Sequence, residues 1–296
     1  MSFRKSFLAA FALSAVCLNP LPAAADITIT DIVGRTVTLE KPAERILLGE
    51  GRQLIALSPI EPDIGNKIVG WLGDLQRLDP ASYQLYREKY PNLDKVPQVG
   101  VTSEETFSVE KALSVRPDIA ILSGGHGPSS DSTETIRQLE AAGIPVIFVD
   151  FRNKPLENTI PSLKIMAQAL GREAESQAFI EFYENRMKRI SDRLAAHPDL
   201  QRPKVLMEMF AGSEDCCGSP GRGNLGEFID FVGGHNIGAD VLQAPLGPIS
   251  LEYIVSQNPE VYIGTGSSQA ARGVVLVGAG VEEEATQESL KKAIAL

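Results

Sequence analysis

Short apolar runs rich in β-branched residues recur along the chain, separated by stretches whose apolar positions fall at helical spacing. Residues 27–30 and 36–39 flank a turn-forming segment, 31–35, and read as a β-hairpin. The runs RILLG (45–49), KIVGW (67–71), DIAIL (118–122), PVIFV (145–149), KVLMEM (204–209) and EVYIG (260–264) read as strands. Helical patterns lie between them, notably 133–142, which stops at Gly143 as a helix should. Strands alternating with helices predict an α/β fold with a mostly parallel sheet covered on both faces.

The pattern changes over residues 156–196, where only Pro161 and Gly171 interrupt the helical period. Phe179, Phe182, Tyr183, Met187, Ile190 and Leu194 repeat at helical spacing with charges between them, predicting one amphipathic helix over 172–196. At 1.5 Å per residue it spans roughly 37 Å. Its apolar stripe reads as ordinary core contact. The organisation expected is a first α/β lobe over 26–155, a helical segment over 156–198 and a second α/β lobe over 199–296.

Residues 1–25 stand apart. Arg4 and Lys5 precede an apolar run, 7–18, which ends at Asn19-Pro20 before Ala23-Ala24-Ala25. This is the layout of a secretory signal peptide cleaved after Ala25. The run is shorter than the roughly 20 apolar residues a membrane span needs, so export without membrane insertion is expected. Cys17 is a poor lipidation site because Val16 stands where a small residue is required. Composition adds little beyond exclusions. With 43% apolar and 22% charged residues the chain is neither collagen-like nor low-complexity. Its 38 acidic against 28 basic residues, net −10, with no long basic run, exclude nucleic acid as an expected partner.

Two segments echo each other. SVEKALSVRPDIAIL begins at Ser108 and SLEYIVSQNPEVYIG at Ser250. Ser108, Glu110, Ser114, Pro117, Asp118 and Ile121 correspond to Ser250, Glu252, Ser256, Pro259, Glu260 and Ile263, at one constant offset. The serine is suited to cap a helix, the glutamate to sit in its first turn, and the proline to end it before a strand. Two such units with identical spacing predict a pseudo-symmetric pair of Rossmann-like lobes.

The opening ITITDIVGRTVTLEKPAERIL, the FSVEKALSVRPDIAIL unit, the GIPVIFVD strand, the long helix, GRGNLGEFIDFVGGHNIGAD and ISLEYIVSQNPEVYIGTG occur in an order that resembles one family. It is the periplasmic substrate-binding proteins of iron-siderophore, haem and vitamin B12 ABC importers, the helical-backbone class. The resemblance covers essentially all of the chain after residue 25. It implies two lobes joined by one stiff helix, a ligand held in the cleft between them, modest closure, and a monomer in the periplasm. It also implies one surface glutamate per lobe docking on an ABC permease dimer, here Glu110 and Glu252. No catalysis and no resident cofactor are expected. Family members usually continue through a further strand and closing helices, whereas here GVVLV (273–277) and a helical run from Val281 lead to Leu296. The second lobe is therefore expected to be incomplete, with an exposed sheet edge.

Ligands of open α/β sheets sit beyond the carboxyl ends of the strands. Those ends offer Arg52, Trp71, His126, Phe151 and Arg152 in the first lobe, and Phe210 and Arg222 in the second. Three arginines among aromatic side chains suit a flat or aromatic anionic ligand, because guanidinium both donates to anionic oxygens and stacks on rings. A ferric siderophore is the expected ligand. Haem is the alternative, since Tyr or His can ligate its iron; cobalamin offers little negative charge for three arginines to meet. His197 and His235 read as turn or helix-end residues, and no metal-ligand spacing points to a bare metal site.

Cys216-Cys217 is an adjacent pair in an oxidising compartment. A vicinal bridge would be strained, because neighbouring Cα atoms lie about 3.8 Å apart, below the usual disulfide range; free thiols or a buried turn are the alternatives. The rival from another class is a dinucleotide-dependent enzyme, since Gly221, Gly223 and Gly226 spell G-x-G-x-x-G. That fingerprint requires its first glycine at the end of a strand, and about eleven residues separate Gly221 from Met209. Hydrolase and Walker A patterns are absent from the sequence.

Overall fold

The hairpin of β1 (Ile27–Thr30) and β2 (Thr36–Leu39) forms antiparallel, with Thr28 opposite Thr38, in a computed structural model that describes residues 26–212, 217–269 and 275–294. Asp31 closes its turn by accepting the backbone N–H groups of Val33 and Arg35.

Five strands follow: β3 (Ile46–Leu48), β4 (Ile68–Leu72), β5 (Gln98–Gly100), β6 (Ile119–Leu122) and β7 (Val146–Phe148). They pair all-parallel in the order β5-β4-β3-β6-β7. Alternation divides their side chains between two cores, as a sheet covered on both faces requires. Ile46, Leu48, Ile119 and Ile121 pack on one face with residues of the Gln53–Leu57 and Pro155–Leu170 helices. Leu47, Ala120, Leu122 and Phe148 pack on the other with Ala112, Ile136 and Leu139 from the Val109–Ser114 and Thr133–Ala141 helices.

The helical segment is two helices. Pro155–Leu170 stops at Gly171, whose φ of 63° needs a residue without a Cβ. Glu173–Ala195 then runs 23 residues, about 34 Å. A buried ion cluster anchors its start. Glu61, 1% exposed, accepts Arg172 Nε at 2.8 Å and Lys67 Nζ at 2.9 Å.

Beyond the helix come β8 (Lys204–Glu208), β9 (Gly218–Pro220), β10 (His235–Asn236), β11 (Leu246–Pro248) and β12 (Val261–Gly264). β8 lies between β10 and β12 in a second parallel sheet, and β9 pairs with β11 as an antiparallel ribbon. Unlike the first sheet, this one has an exposed edge: Tyr262 of β12 is 56% accessible. Of the predicted 273–277 strand, Leu276 makes a single bridge to Ser267, while 273–274 lie outside the described residues. So do residues 1–25, where a signal peptide is expected.

The sequence echo is a structural one. Ser108 and Ser250 cap the Val109–Ser114 and Leu251–Gln257 helices, accepting the N–H of Lys111 and of Tyr253, each at 3.2 Å. Both helices are followed by a left-handed non-glycine residue directly before the proline, Arg116 (φ 49°) and Asn258 (φ 46°). A basic residue opening the central strand then binds the helix's last carbonyls. Arg45 donates to Val115 and Arg116, and Lys204 to Gln257. The next acidic residue closes each junction. Asp118 accepts the N–H of Arg45 and Glu260 that of Lys204.

Candidate functional site

A cavity of about 620 Å³ opens between the two sheets. The first sheet contributes residues just past the carboxyl ends of β3, β6 and β7: Glu50, Arg52, Ser123, Gly125, Phe151 and Arg152. The second side supplies Met209, Phe210, Pro220, Asn224, Leu225 and Leu246. Between them the helices give Ile55, Ala56, Thr159, Leu163, Phe179 and Tyr183. Polar groups are thus gathered at one end of a largely apolar chamber, the usual anatomy of a small-molecule site.

The polar end is tightly wired. Arg52 donates to Glu50 Oε1 at 2.8 Å through Nη2 and to Asp74 Oδ2 at 3.2 Å through Nε. Asp74 is fully buried and also accepts the Gly51 N–H. Burial raises its pKa, opposed by that N–H and by Arg52. Ser123 Oγ donates to Glu50 Oε2 at 2.6 Å. Asp150 builds the loop after β7, accepting the N–H groups of Arg152 (2.9 Å), Asn153 (2.7 Å) and Lys154 (3.0 Å) and Asn158 Nδ2 (2.7 Å). Burial pushes this carboxyl up, but its donors outweigh burial and hold it below the ordinary range. Arg152 itself makes no ion pair among the described residues, although Glu50 is its neighbour across Gly125, and its side chain lines the cavity.

On the opposite wall Phe210 sits at φ 57°, a costly conformation for a residue with a Cβ. Its N–H donates to Thr265 Oγ1 at 2.8 Å, which holds the backbone there, and its side chain lines the chamber. The two sides touch through the Asn224 N–H on the Asn153 carbonyl (2.9 Å) and the Leu156 N–H on Glu227 (3.3 Å). Gln269 adds a further contact, donating to the carbonyls of Arg77 and Leu78.

Of the residues expected from strand ends, Arg52, Phe151, Arg152 and Phe210 meet at the cavity. Trp71 does not. β4 runs one residue further than the apolar run suggests, so Trp71 is inside the strand, 2% exposed, against Tyr83 in the first core. Arg222 also lies elsewhere, exposed and donating to the Ala239 carbonyl, while Asn224 takes the cavity position. His126 sits half-buried and is not among the residues lining the cavity; burial, then Arg52 and Arg152, lower its pKa. Phe179 and Tyr183, expected as plain core contacts, face the cavity. Cys217 is buried and Cys216 lies outside the described residues, so the vicinal pair is not described. The G-x-G-x-x-G run follows an antiparallel ribbon strand, and its glycines serve packing. A Cβ on Gly226 would fall 2.2 Å from the Gly221 carbonyl oxygen. Among the described residues no cluster of three His, Cys, Asp or Glu is placed to hold a metal ion.

Residues 78–289 match the family described as periplasmic binding protein. The chain belongs to that family. Among solved structures, the TroA-like periplasmic binding protein FepB from Veillonella parvula superposes with a TM-score of 0.76. It is 28% identical, over 90% of this chain and 77% of that one. MolA of Haemophilus influenzae, the cognate molybdate periplasmic binding protein of an ABC transporter, shares the fold at a TM-score of 0.62. That match is 20% identical and covers 80% of this chain and 73% of MolA. A cobalamin-binding protein of Halobacterium salinarum is 29% identical over 164 residues. This spans 54% of this chain and about two fifths (41%) of that relative's length. In this periplasmic binding protein Glu110 and Glu252 both project into solvent from the first turns of equivalent helices. No helix among the described residues is long and apolar enough to cross a membrane.

Proposed function

We propose that this periplasmic binding protein captures a ferric siderophore in the cavity between its sheets and delivers it to an ABC permease, docking through Glu110 and Glu252. The observation that carries the ligand reading is Arg152, a guanidinium without an ion pair among the described residues that lines a chamber walled by Phe151, Phe179, Tyr183 and Phe210. An anionic oxygen of a metal chelate would meet Arg152 while the organic shell lies on the rings. The permease reading is supported by two solvent-facing carboxylates in matching helices, one per sheet. One rigid helix between the sheets, held at its start by the Glu61 cluster, favours small-amplitude closure.

A second reading, haem, is supported by Tyr183, which lines the cavity and whose hydroxyl makes no hydrogen bond among the described residues. Tyrosinate is a known haem ligand. The test is a titration of the purified chain with ferric siderophores and with haem, read from Trp71 fluorescence and from the haem absorbance band. Saturable ferric-siderophore binding that weakens in Arg52→Gln and Arg152→Gln supports the reading. Unchanged affinity in both variants, or binding of haem alone, overturns it.

A further inference from the structure

The charges around the cavity do not sum as the count of arginines suggests. Arg52 is pinned between Glu50 and Asp74, so its positive charge is already answered by two carboxylates. Asp150 adds a third, engaged by backbone N–H groups but still ionic. Two guanidinium groups therefore face three carboxylates. His126 offers little to offset them, since burial and the same two guanidinium groups lower its pKa and disfavour its charged form. Arg222, the third arginine expected here, is not in the cavity.

Glu50 and Asp150 both line the cavity, but both oxygens of Asp150 are taken up by four donors of its own loop, which leaves Glu50 as the carboxylate that a ligand would meet. It lines the cavity, yet its side chain is only 11% exposed, and Ser123 holds its second oxygen at 2.6 Å. The space for it is provided by Gly125, where a Cβ would fall 2.4 Å from Glu50 Oε2. A ligand drawing Arg52 away would leave this half-enclosed carboxylate with Ser123 as its remaining donor, a costly state in a chamber of low polarity.

We infer that the cavity selects a chelate of low net negative charge, presenting one anionic group to Arg152, and that Glu50 is the specificity-determining residue that turns away multiply anionic ligands. This deepens the proposed function and rests on the cavity being the ligand site. Arg152 supplies attraction for a single anion, the apolar walls accept the bulk of the complex, and Glu50 repels further negative charge while keeping Arg52 occupied.

Two ferric probes test it: a trihydroxamate complex bearing one pendant carboxylate, and a tris-catecholate complex carrying three negative charges. The wild type binds the first more tightly. Glu50→Gln shifts the ratio of the two affinities toward the trianion by about tenfold or more, the scale of removing one charge beside a ligand at an effective dielectric of about 20. Arg52→Gln, which leaves Glu50 unanswered, shifts the ratio the opposite way and serves where Glu50→Gln does not fold. Tighter trianion binding by the wild type, or a ratio that moves in neither variant, overturns the role of Glu50 and leaves the transport reading standing. A wild-type chain that binds neither probe, nor haem or a corrinoid, overturns both.

Discussion

Asp150→Asn is the sharpest test of how the site is held in place. The wild-type carboxylate offers Oδ1 to the N–H groups of Arg152 and Asn153, and Oδ2 to the Lys154 N–H and Asn158 Nδ2. Asparagine keeps one acceptor oxygen and sets an NH₂ group against two donors, while the other two bonds lose their charge. Each donor left unsatisfied costs about 1–3 kcal/mol. The loop is exposed at 152–154, where water can replace some of the loss. The expected cost is therefore about 2–4 kcal/mol at neutral pH, or a melting temperature lower by roughly 5–10 °C. The sign with pH follows from the direction of the shift. The folded carboxyl titrates below its unfolded counterpart, so its stabilisation is fully present above the unfolded value and fades as pH falls through the folded one. The stability gap between wild type and Asp150→Asn should stay constant through neutral pH and narrow only below about pH 4, the ordinary aspartate range. Urea unfolding across that range measures it. A gap under about 0.5 kcal/mol at pH 7, or one that does not close in acid, would refute the reasoning. Because the same bonds aim Arg152, ligand affinity falls as well.

Three further outcomes follow from the structure. Glu61→Gln leaves Lys67 and Arg172 facing each other beneath the long helix, with Glu44 still on Lys67 at 3.3 Å; it should cost about 2–4 kcal/mol in urea unfolding, and a loss below 1 would show the cluster to be dispensable. Arg116→Gly removes a Cβ at φ 49° and no side-chain bond, so stability should rise by about 1 kcal/mol; a lower melting temperature contradicts it. Glu110→Ala and Glu252→Ala should abolish uptake through the permease in reconstituted vesicles while ligand affinity holds. Full uptake by the double variant would remove these carboxylates from the docking surface.

The strands β3, β4, β6, β7, β8 and β12 and the long helix were legible because their signals are local: an apolar run that fills a buried strand, or a stripe of 3.6-residue period. The paired junctions were legible for the same reason, since a capping serine, a first-turn glutamate and a helix-ending proline act within one helix. β5, β9, β10 and β11 were not, being two or three residues long and without an apolar run. Trp71 shows the limit at single residues. Whether it ends a strand or lies inside one turned on a single residue of pairing with β5, set by another part of the chain.

The sequence by itself determined two α/β halves on a helical bridge, and the carboxyl ends of the strands as the places where a cavity opens. Only the tertiary structure decided which side chains reach that place and with what charge. Phe179 and Tyr183 face a cavity instead of a core because of what stands across from them. Arg52 is neutralised by Asp74, a residue 22 positions away that no local spacing links to it. Periodicity and capping are properties of neighbours along the chain, whereas electrostatic pairing and the shape of a cavity are properties of neighbours in space.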